Sequence, residues 1–428
     1  MQTQAMPKTY PLQLQVNTEP PRVMHIDLNS CFATVEQQAR PLLRGRPLGV
    51  TNRKTKNACV VAASIEAKAL GVKVGMPFSE AKMLAPDLIL VETDPPKYHY
   101  VYQKLVRIMK SYSPDVTMKS IDEGIINFVG TGNVNKRGLE QIGFEIKDRL
   151  RDEVGSWMRC NVGIAPNRFL AKTAAGLHKP DGLDIIDHTN LRSTLSGLKL
   201  TDLTGIASRN EARLNAAGIY SPLQFLDAPS DLLRKRVFKS VCGEDWCSRL
   251  RGWEVDDFES AVRTVGRQYV LDEWQPTEEV LRARLSYLCE TTAMKLRYKG
   301  LAARGVILYL MYANGDHWYE RKIFGQPFFS NSDVLAKASL LFNRRPREDW
   351  VRMMSISCYN LVPSNMGQVS LLEEINRETW LTEAIDEINN QYGEFTITFA
   401  TSLPAKSLVK QKIPFGSTRY FELLCNSS

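Results

Sequence analysis

Met24-His25-Ile26-Asp27-Leu28-Asn29-Ser30-Cys31-Phe32 alternates apolar and polar residues, and Ser120-Ile121-Asp122-Glu123-Gly124 places two acids side by side. The first stretch has the pattern of a half-buried strand, with Met24, Ile26 and Leu28 facing a core and Asp27 facing away from it. Around the second, Met118-Lys119-Ser120-Ile121 and Ile125-Ile126-Asn127-Phe128 read as the two strands of a hairpin. Neighbours on a straight strand point opposite ways, so Asp122 and Glu123 serve one site only where the chain bends, and Gly124 is expected to permit the bend. Three carboxylates arriving from two places form the set of hard oxygens that one or two Mg²⁺ ions need. Singly, acids beside a glycine are more often solvated turn or edge residues. Their joint occurrence with Phe32 and the lysines below favours a site.

These residues resemble the motifs of the Y-family translesion DNA polymerases. Asp27-Leu28-Asn29-Ser30-Cys31-Phe32 is similar to that family's first metal motif, and Ser120-Ile121-Asp122-Glu123 to its second. The resemblance runs from about Arg22 to the C-terminus, and within the family it is closest to the catalytic subunit of bacterial polymerase V. It implies an α+β multidomain chain shaped as a right-hand polymerase. The palm, an antiparallel sheet plus helices, is expected over residues 22–30 and 92–184, with small fingers over 31–91 and a helical thumb over 185–258. A split-βαβ little finger that grips DNA is expected over 263–363, after an N-terminal tail, 1–21, and before a C-terminal tail, 364–428, with a clamp-binding peptide.

The resemblance also assigns roles. Asp27, Asp122 and Glu123 are the expected catalytic ligands of two Mg²⁺ ions, joined by the Leu28 carbonyl. Phe32 stands where the family places its steric gate, a flat aromatic that leaves no room for a ribose 2′-hydroxyl; many Phe residues are simply core. Lys172, after Asn167-Arg168-Phe169-Leu170-Ala171, matches a triphosphate lysine, and Lys68 stands where many relatives have arginine. Solvated helix lysines are the plain alternative for both. Ala62 and Ile65 lack hydroxyls that many relatives use on the triphosphate, which suggests a looser grip on the nucleotide.

Composition favours a polyanionic partner, which a nucleic acid or an anionic membrane surface would satisfy. The chain of 428 residues exceeds one core, and its net charge is +8 with a pI near 9.0. No apolar run is long enough to span a bilayer, and Met1 to Pro20 lacks the apolar centre of a signal peptide. Eight scattered cysteines, the nearest pair being Cys242 and Cys247, lack zinc spacing, so a reduced cytoplasmic setting is expected.

Further along, helices are expected over Glu66–Leu70, Ser79–Leu84, Tyr98–Ser111, Leu139–Val154 and Asn167–Leu177, with a strand from Met158 to Ile164. Thr204-Gly205-Ile206-Ala207 resembles a helix-hairpin-helix turn for duplex phosphates, with Ala207 in place of the usual second glycine; an ordinary turn between packed helices explains it equally. From Val265 to Asn360 the expected order is β-α-β-β-α-β. Residues 263–363 hold fifteen Lys and Arg against ten Asp and Glu, as suits a duplex-backbone binder. Gln368-Val369-Ser370-Leu371-Leu372 resembles the peptide that docks on the bacterial sliding clamp. Beyond it, Trp380, Ile385 and Ile388 have helical spacing, whereas Phe395, Ile397 and Phe399 alternate like a strand.

The function so implied is error-prone, template-directed transfer of dNTPs onto a primer 3′-hydroxyl opposite damaged DNA, without proofreading. Primer-template DNA, dNTPs, a sliding clamp and accessory subunits of a polymerase V-like complex are the expected partners, and no membrane is. The alternatives are a catalytically silent DNA- and clamp-binding scaffold, or another palm-type phosphotransferase such as a nucleotide cyclase.

Overall fold

The computed structural model describes residues 15–52, 58–131, 138–257, 261–271, 275–346, 349–364, 373–393 and 395–406. These fall into two compact units, one ending before residue 258 and one beginning after it.

The first unit contains β1 (Val23–Leu28), β2 (Leu48–Thr51), β3 (Ala62–Ala63), β4 (Ile89–Glu92), β5 (Val116–Met118), β6 (Glu123–Asn127), β7 (Cys160–Ala165) and β8 (Leu183–Ile185). Five strands form a sheet in the order β5-β6-β1-β7-β8, in which β1 runs antiparallel to both neighbours. On one face Met24, Ile26, Leu28, Ile126 and Val162 pack against Leu105 and Ile108 of helix Pro95–Lys110 and Ile146 and Leu150 of helix Leu139–Glu153. On the other, Val23, Ile125 and Ala165 meet Phe169, Leu170 and Ala174 of helix Arg168–Leu177. Each fully buried Val, Leu, Ile, Met or Phe among them contributes about 1.5–3 kcal/mol.

β1 is therefore buried on both faces, not half-buried as its alternation suggested, and His25 is only 1% exposed. A second helical layer covers the face that the polar residues occupy. That layer lies close because Gly163 of β7 has no side chain: an added Cβ would stand 2.0 Å from the Ala171 carbonyl oxygen and 2.2 Å from the Ala175 nitrogen.

β3, β2 and β4 form a small separate sheet, with β2 and β4 parallel. Helices Ile65–Ala69 and Phe78–Leu84 pack beside it on a core of Val60, Ala63, Ala67, Ala81 and Leu88. Ser64 caps the first, its hydroxyl accepting from Ala67 N at 3.2 Å. After β8 the unit is helical as expected, with helices Leu191–Ser196, Ser208–Ala216, Pro222–Asp227 and Cys242–Leu250 gathered on Leu214, Phe225 and Trp246. Asn167 ties this region to the sheet, capping helix Arg168–Leu177 while donating to the Arg249 and Trp253 carbonyls, each at 2.8 Å.

The second unit follows the expected β-α-β-β-α-β order: β9 (Thr264–Val270), helix Glu278–Tyr298, β10 (Leu301–Tyr312), β11 (His317–Phe328), helix Asn331–Phe342 and β12 (Val351–Pro363). Its antiparallel sheet has the order β11-β10-β12-β9, a split βαβ arrangement. Thr277 and Ser330 cap the two helices. Helix Glu373–Tyr392 carries Trp380, Ile385 and Ile388 as the spacing predicted. Phe395 to Phe399 is not a strand. Its hydrogen bonds go instead to a helix: buried Glu290 accepts from Thr398 Oγ1 and Phe399 N, each at 2.7 Å.

Candidate active site

Partners across an antiparallel ladder put their side chains on the same face. Asp27 is opposite Glu123 on one side and Asn161 on the other, and His25 is opposite Ile125 and Gly163. The ladder register therefore sets Asp27, His25 and Glu123 on the face that helix Arg168–Leu177 covers.

Asp122 comes from the turn before β6. The bend lies over Lys119 to Asp122 and is made by Ser120, whose hydroxyl accepts from Glu123 N at 3.1 Å and donates to the Asp122 carboxylate. Gly124 does not make the bend, contrary to expectation. It sits within β6, where an added Cβ would meet Met118 Sδ at 2.6 Å and Met109 Cε at 2.8 Å, so its role is close packing. Leu28 N donates to the Asp122 carbonyl at 2.9 Å, locking the turn against the end of β1.

A cleft of about 630 Å³ opens at this end of the sheet. Asp27, Leu28, Asp122, Phe32 and Lys68 all line it, and Ala62 and Ile65 face it from the small sheet and its helix. Glu123 and Lys172 are not among its lining residues. They pair beside it, Lys172 Nζ donating to Glu123 Oε2 at 2.7 Å, with His25 Nε2 3.3 Å from the same oxygen. Thr204, Gly205 and Ala207 are exposed and Ile206 is buried, before helix Ser208–Ala216. Gln368 to Leu372 lie outside the described residues.

Two residues that sequence reasoning missed belong to the cleft region. Lys179 lines the cleft and donates to Asp27 Oδ2; the only signal was its place in His178-Lys179-Pro180-Asp181-Gly182, where the stretch from Asn167 that resembles the family ends. Tyr98 stacks on Phe32 and donates to the buried Glu36 carboxylate at 3.0 Å. Nothing in local spacing links these residues.

Burial, eased by the Ser120 hydrogen bond, raises the Asp122 carboxyl, and the nearby Asp27 and Glu123 charges raise it further. Burial acts the same way on Glu123, but the adjacent His25 ring and the hydrogen-bonded Lys172 outweigh it and hold the carboxyl at about 2. Burial and the neighbouring Lys179 lower the Lys68 ammonium.

Among the described residues no three His, Cys, Asp or Glu side chains form a ready-made metal cage. Lys172 and Lys179 occupy the oxygens that would otherwise be free. The donor chemistry nonetheless fits a divalent cation: three carboxylates and the Leu28 carbonyl are hard oxygens. The mutual repulsion that raises Asp122 is what such a cation relieves.

The chain matches the impB/mucB/samB family model over residues 26–176 and that family's C-terminal domain over 262–371. It is 33% identical over 408 residues to DNA polymerase IV of Pelotomaculum thermopropionicum, covering 91% of this chain and 97% of that protein. It is 32% identical over 390 residues to DNA polymerase IV of Moorella thermoacetica, covering 89% and 96%. Among solved structures, a chimera of the Y-family polymerases Dbh and Dpo4 superposes with a TM-score of 0.68 at 23% identity, covering 79% of this chain and 99% of that one. The relatives carry the polymerase IV name, and the family is the level at which they meet the sequence motifs. The first match falls in the first unit and includes Asp27, Asp122 and Glu123, and the second falls in the second unit: the chain belongs to the Y-family translesion DNA polymerases and is a DNA-directed DNA polymerase.

Proposed function

We propose that this polymerase adds dNTPs to a primer 3′-hydroxyl by two-Mg²⁺ nucleotidyl transfer opposite damaged template bases, without proofreading. The observation that carries the proposal is the convergence of Asp27, Asp122 and Glu123 at one end of the sheet, beside a cleft lined by Phe32, Lys68 and Lys179. Bound there, the metal ions would lower the hydroxyl pKa and neutralise the departing pyrophosphate. Asp27, Asp122, Glu123 and the Leu28 carbonyl would hold them.

The other roles follow from placement. Lys179 and Lys68 face the cleft and would take the triphosphate oxygens, whereas Lys172 would orient Glu123. That assignment moves the triphosphate role from Lys172 to Lys179. Phe32, backed by Tyr98, would exclude a 2′-hydroxyl. The five-stranded sheet would be the palm, the small sheet the fingers, the helical segment the thumb, and the second unit the DNA-gripping little finger.

The basic excess on that unit supports duplex binding, and Gln368 to Leu372 would dock on a sliding clamp. Accessory subunits of a polymerase V-like complex are further proposed partners. No helix among the described residues is long and apolar enough to cross a membrane. A cytoplasmic setting is proposed from the polymerase relatives.

The test is primer extension on an undamaged template with Mg²⁺, comparing the wild type with Asp122→Asn/Glu123→Gln. Extension by the wild type alone, with primer-template affinity equal in both, supports the reading. Equal extension by both removes these acids from the chemistry.

A further inference from the structure

The segment His178 to Gly182, which presents Lys179 to the cleft, is fastened more heavily than its surface position requires. Asp181 is the centre of the fastening. Its carboxylate takes Lys147 Nζ at 3.0 Å, Arg151 Nη2 at 2.8 Å and Arg159 Nε at 3.5 Å. Its backbone N donates to Asn29 Oδ1 at 2.8 Å, and Asn29 Nδ2 donates to Asn161 Oδ1 at 2.6 Å. Lys147, whose side chain is only 6% exposed, also donates to the Asp181 and Gly182 carbonyls.

The backbone is specialised at the same place. Asp181 has φ of +62°, a left-handed conformation that Asp tolerates better than most residues. A Cβ on Gly182 would lie 2.2 Å from the His178 carbonyl oxygen. Asn29 stands two residues after Asp27, so the turn that directly follows the strand carrying one carboxylate also fixes the loop that carries the lysine facing it.

We infer that Asp181 is a positioning residue for nucleotide binding: clamped by Lys147, Arg151 and Arg159, it sets the Lys179 ammonium at the height in the cleft where a triphosphate lies. This rests on the proposed triphosphate role of Lys179. A loop with one fixed geometry spares the ordering cost that a free lysine would meet each time a nucleotide binds.

The experiment is steady-state single-nucleotide insertion by the full chain with Asp181→Asn, Asp181→Gly, Lys179→Ala and Lys179→Ala/Asp181→Asn. Asn keeps size and left-handed tolerance while losing charge, and Gly keeps the backbone geometry while losing the side chain. The expected result is a rise in dNTP KM of about tenfold in both Asp181 variants, with kcat within about twofold of wild type. Asp181→Asn is expected to add little in the Lys179→Ala background. An unchanged KM in both Asp181 variants, or a full multiplicative rise in the double variant, overturns the inference and leaves the Lys179 reading standing. A wild-type KM for Lys179→Ala overturns both. A fall in kcat that tracks lost thermal stability and lost primer-template affinity also overturns it, since that is the mark of a purely structural anchor.

Discussion

The Phe32 and Tyr98 rings stack with centroids 4.5 Å apart and planes inclined by 21°. Phe32 lines the cleft, and Tyr98 behind it is fully buried, its hydroxyl held by Glu36, which Lys97 also contacts at 3.3 Å. The gate proposed for Phe32 would discriminate by shape only if the ring cannot retreat, and the anchored Tyr98 behind it opposes retreat.

Phe32→Ala is therefore expected to reduce the preference for dNTP over rNTP by roughly 10²-fold while leaving dNTP insertion largely intact. Tyr98→Ala is expected to relax the preference in the same direction by a smaller factor. Insertion kinetics with matched dNTP and rNTP pairs measure both. Undiminished discrimination in Phe32→Ala would remove it from the gate.

Replacing the acids tests the chemistry directly. Asp122→Asn/Glu123→Gln changes little in shape, so extension is expected to fall by roughly 10³-fold or more while DNA affinity holds. Chelating divalent metal should abolish wild-type extension, and restoring Mg²⁺ should recover it.

Lys172 has a measurable electrostatic role. Glu123 has its carboxyl lowered from 4.5 to about 2, with Lys172 and His25 as the favourable partners against burial. A depressed acid adds stability that is complete above its unfolded pKa and fades as pH falls through the folded one. In chelator, the stability advantage of the wild type over Lys172→Met is thus expected to be full above about pH 5 and to shrink toward about pH 2. Denaturant unfolding across that range decides it; a constant advantage would mean that Lys172 acts through packing.

Two glycines of the same sheet should respond differently to alanine. At Gly163 the added carbon meets backbone, the Ala171 oxygen and the Ala175 nitrogen, so Gly163→Ala is expected to lose about 3 kcal/mol or more. At Gly124 it meets the ends of two flexible methionines, so about 1 kcal/mol is expected. Equilibrium unfolding of the two variants gives the comparison.

The clamp-docking role proposed for Gln368 to Leu372 is testable without reference to the active site. Leu371→Ala/Leu372→Ala is expected to abolish any stimulation by a sliding clamp and to leave clamp-free extension unchanged. Primer extension with and without clamp reads both.

The sequence by itself determined the order of elements, which is written in local patterns, and singled out the candidate acids by residue type and the candidate gate by resemblance. Asp27 and Asp122-Glu123 stand out by residue type, and the strands and helices from Val265 onward follow hydrophobic period and turn chemistry closely enough to be ordered without coordinates. Period fails where both faces of a strand are covered, which is why β1 read as half-buried, and it mistook Phe395 to Phe399 for a strand because their partner is a helix far back in the chain. Only the tertiary structure decided which cation meets which acid. Lys179 reaches Asp27 across 152 positions and Lys172 reaches Glu123 across 49, distances over which no spacing rule applies. The Tyr98 backing of Phe32 and the clamp on Asp181 are of the same kind: each joins side chains that sheet register and helix packing bring together, and those depend on the whole core, not on the residues beside them.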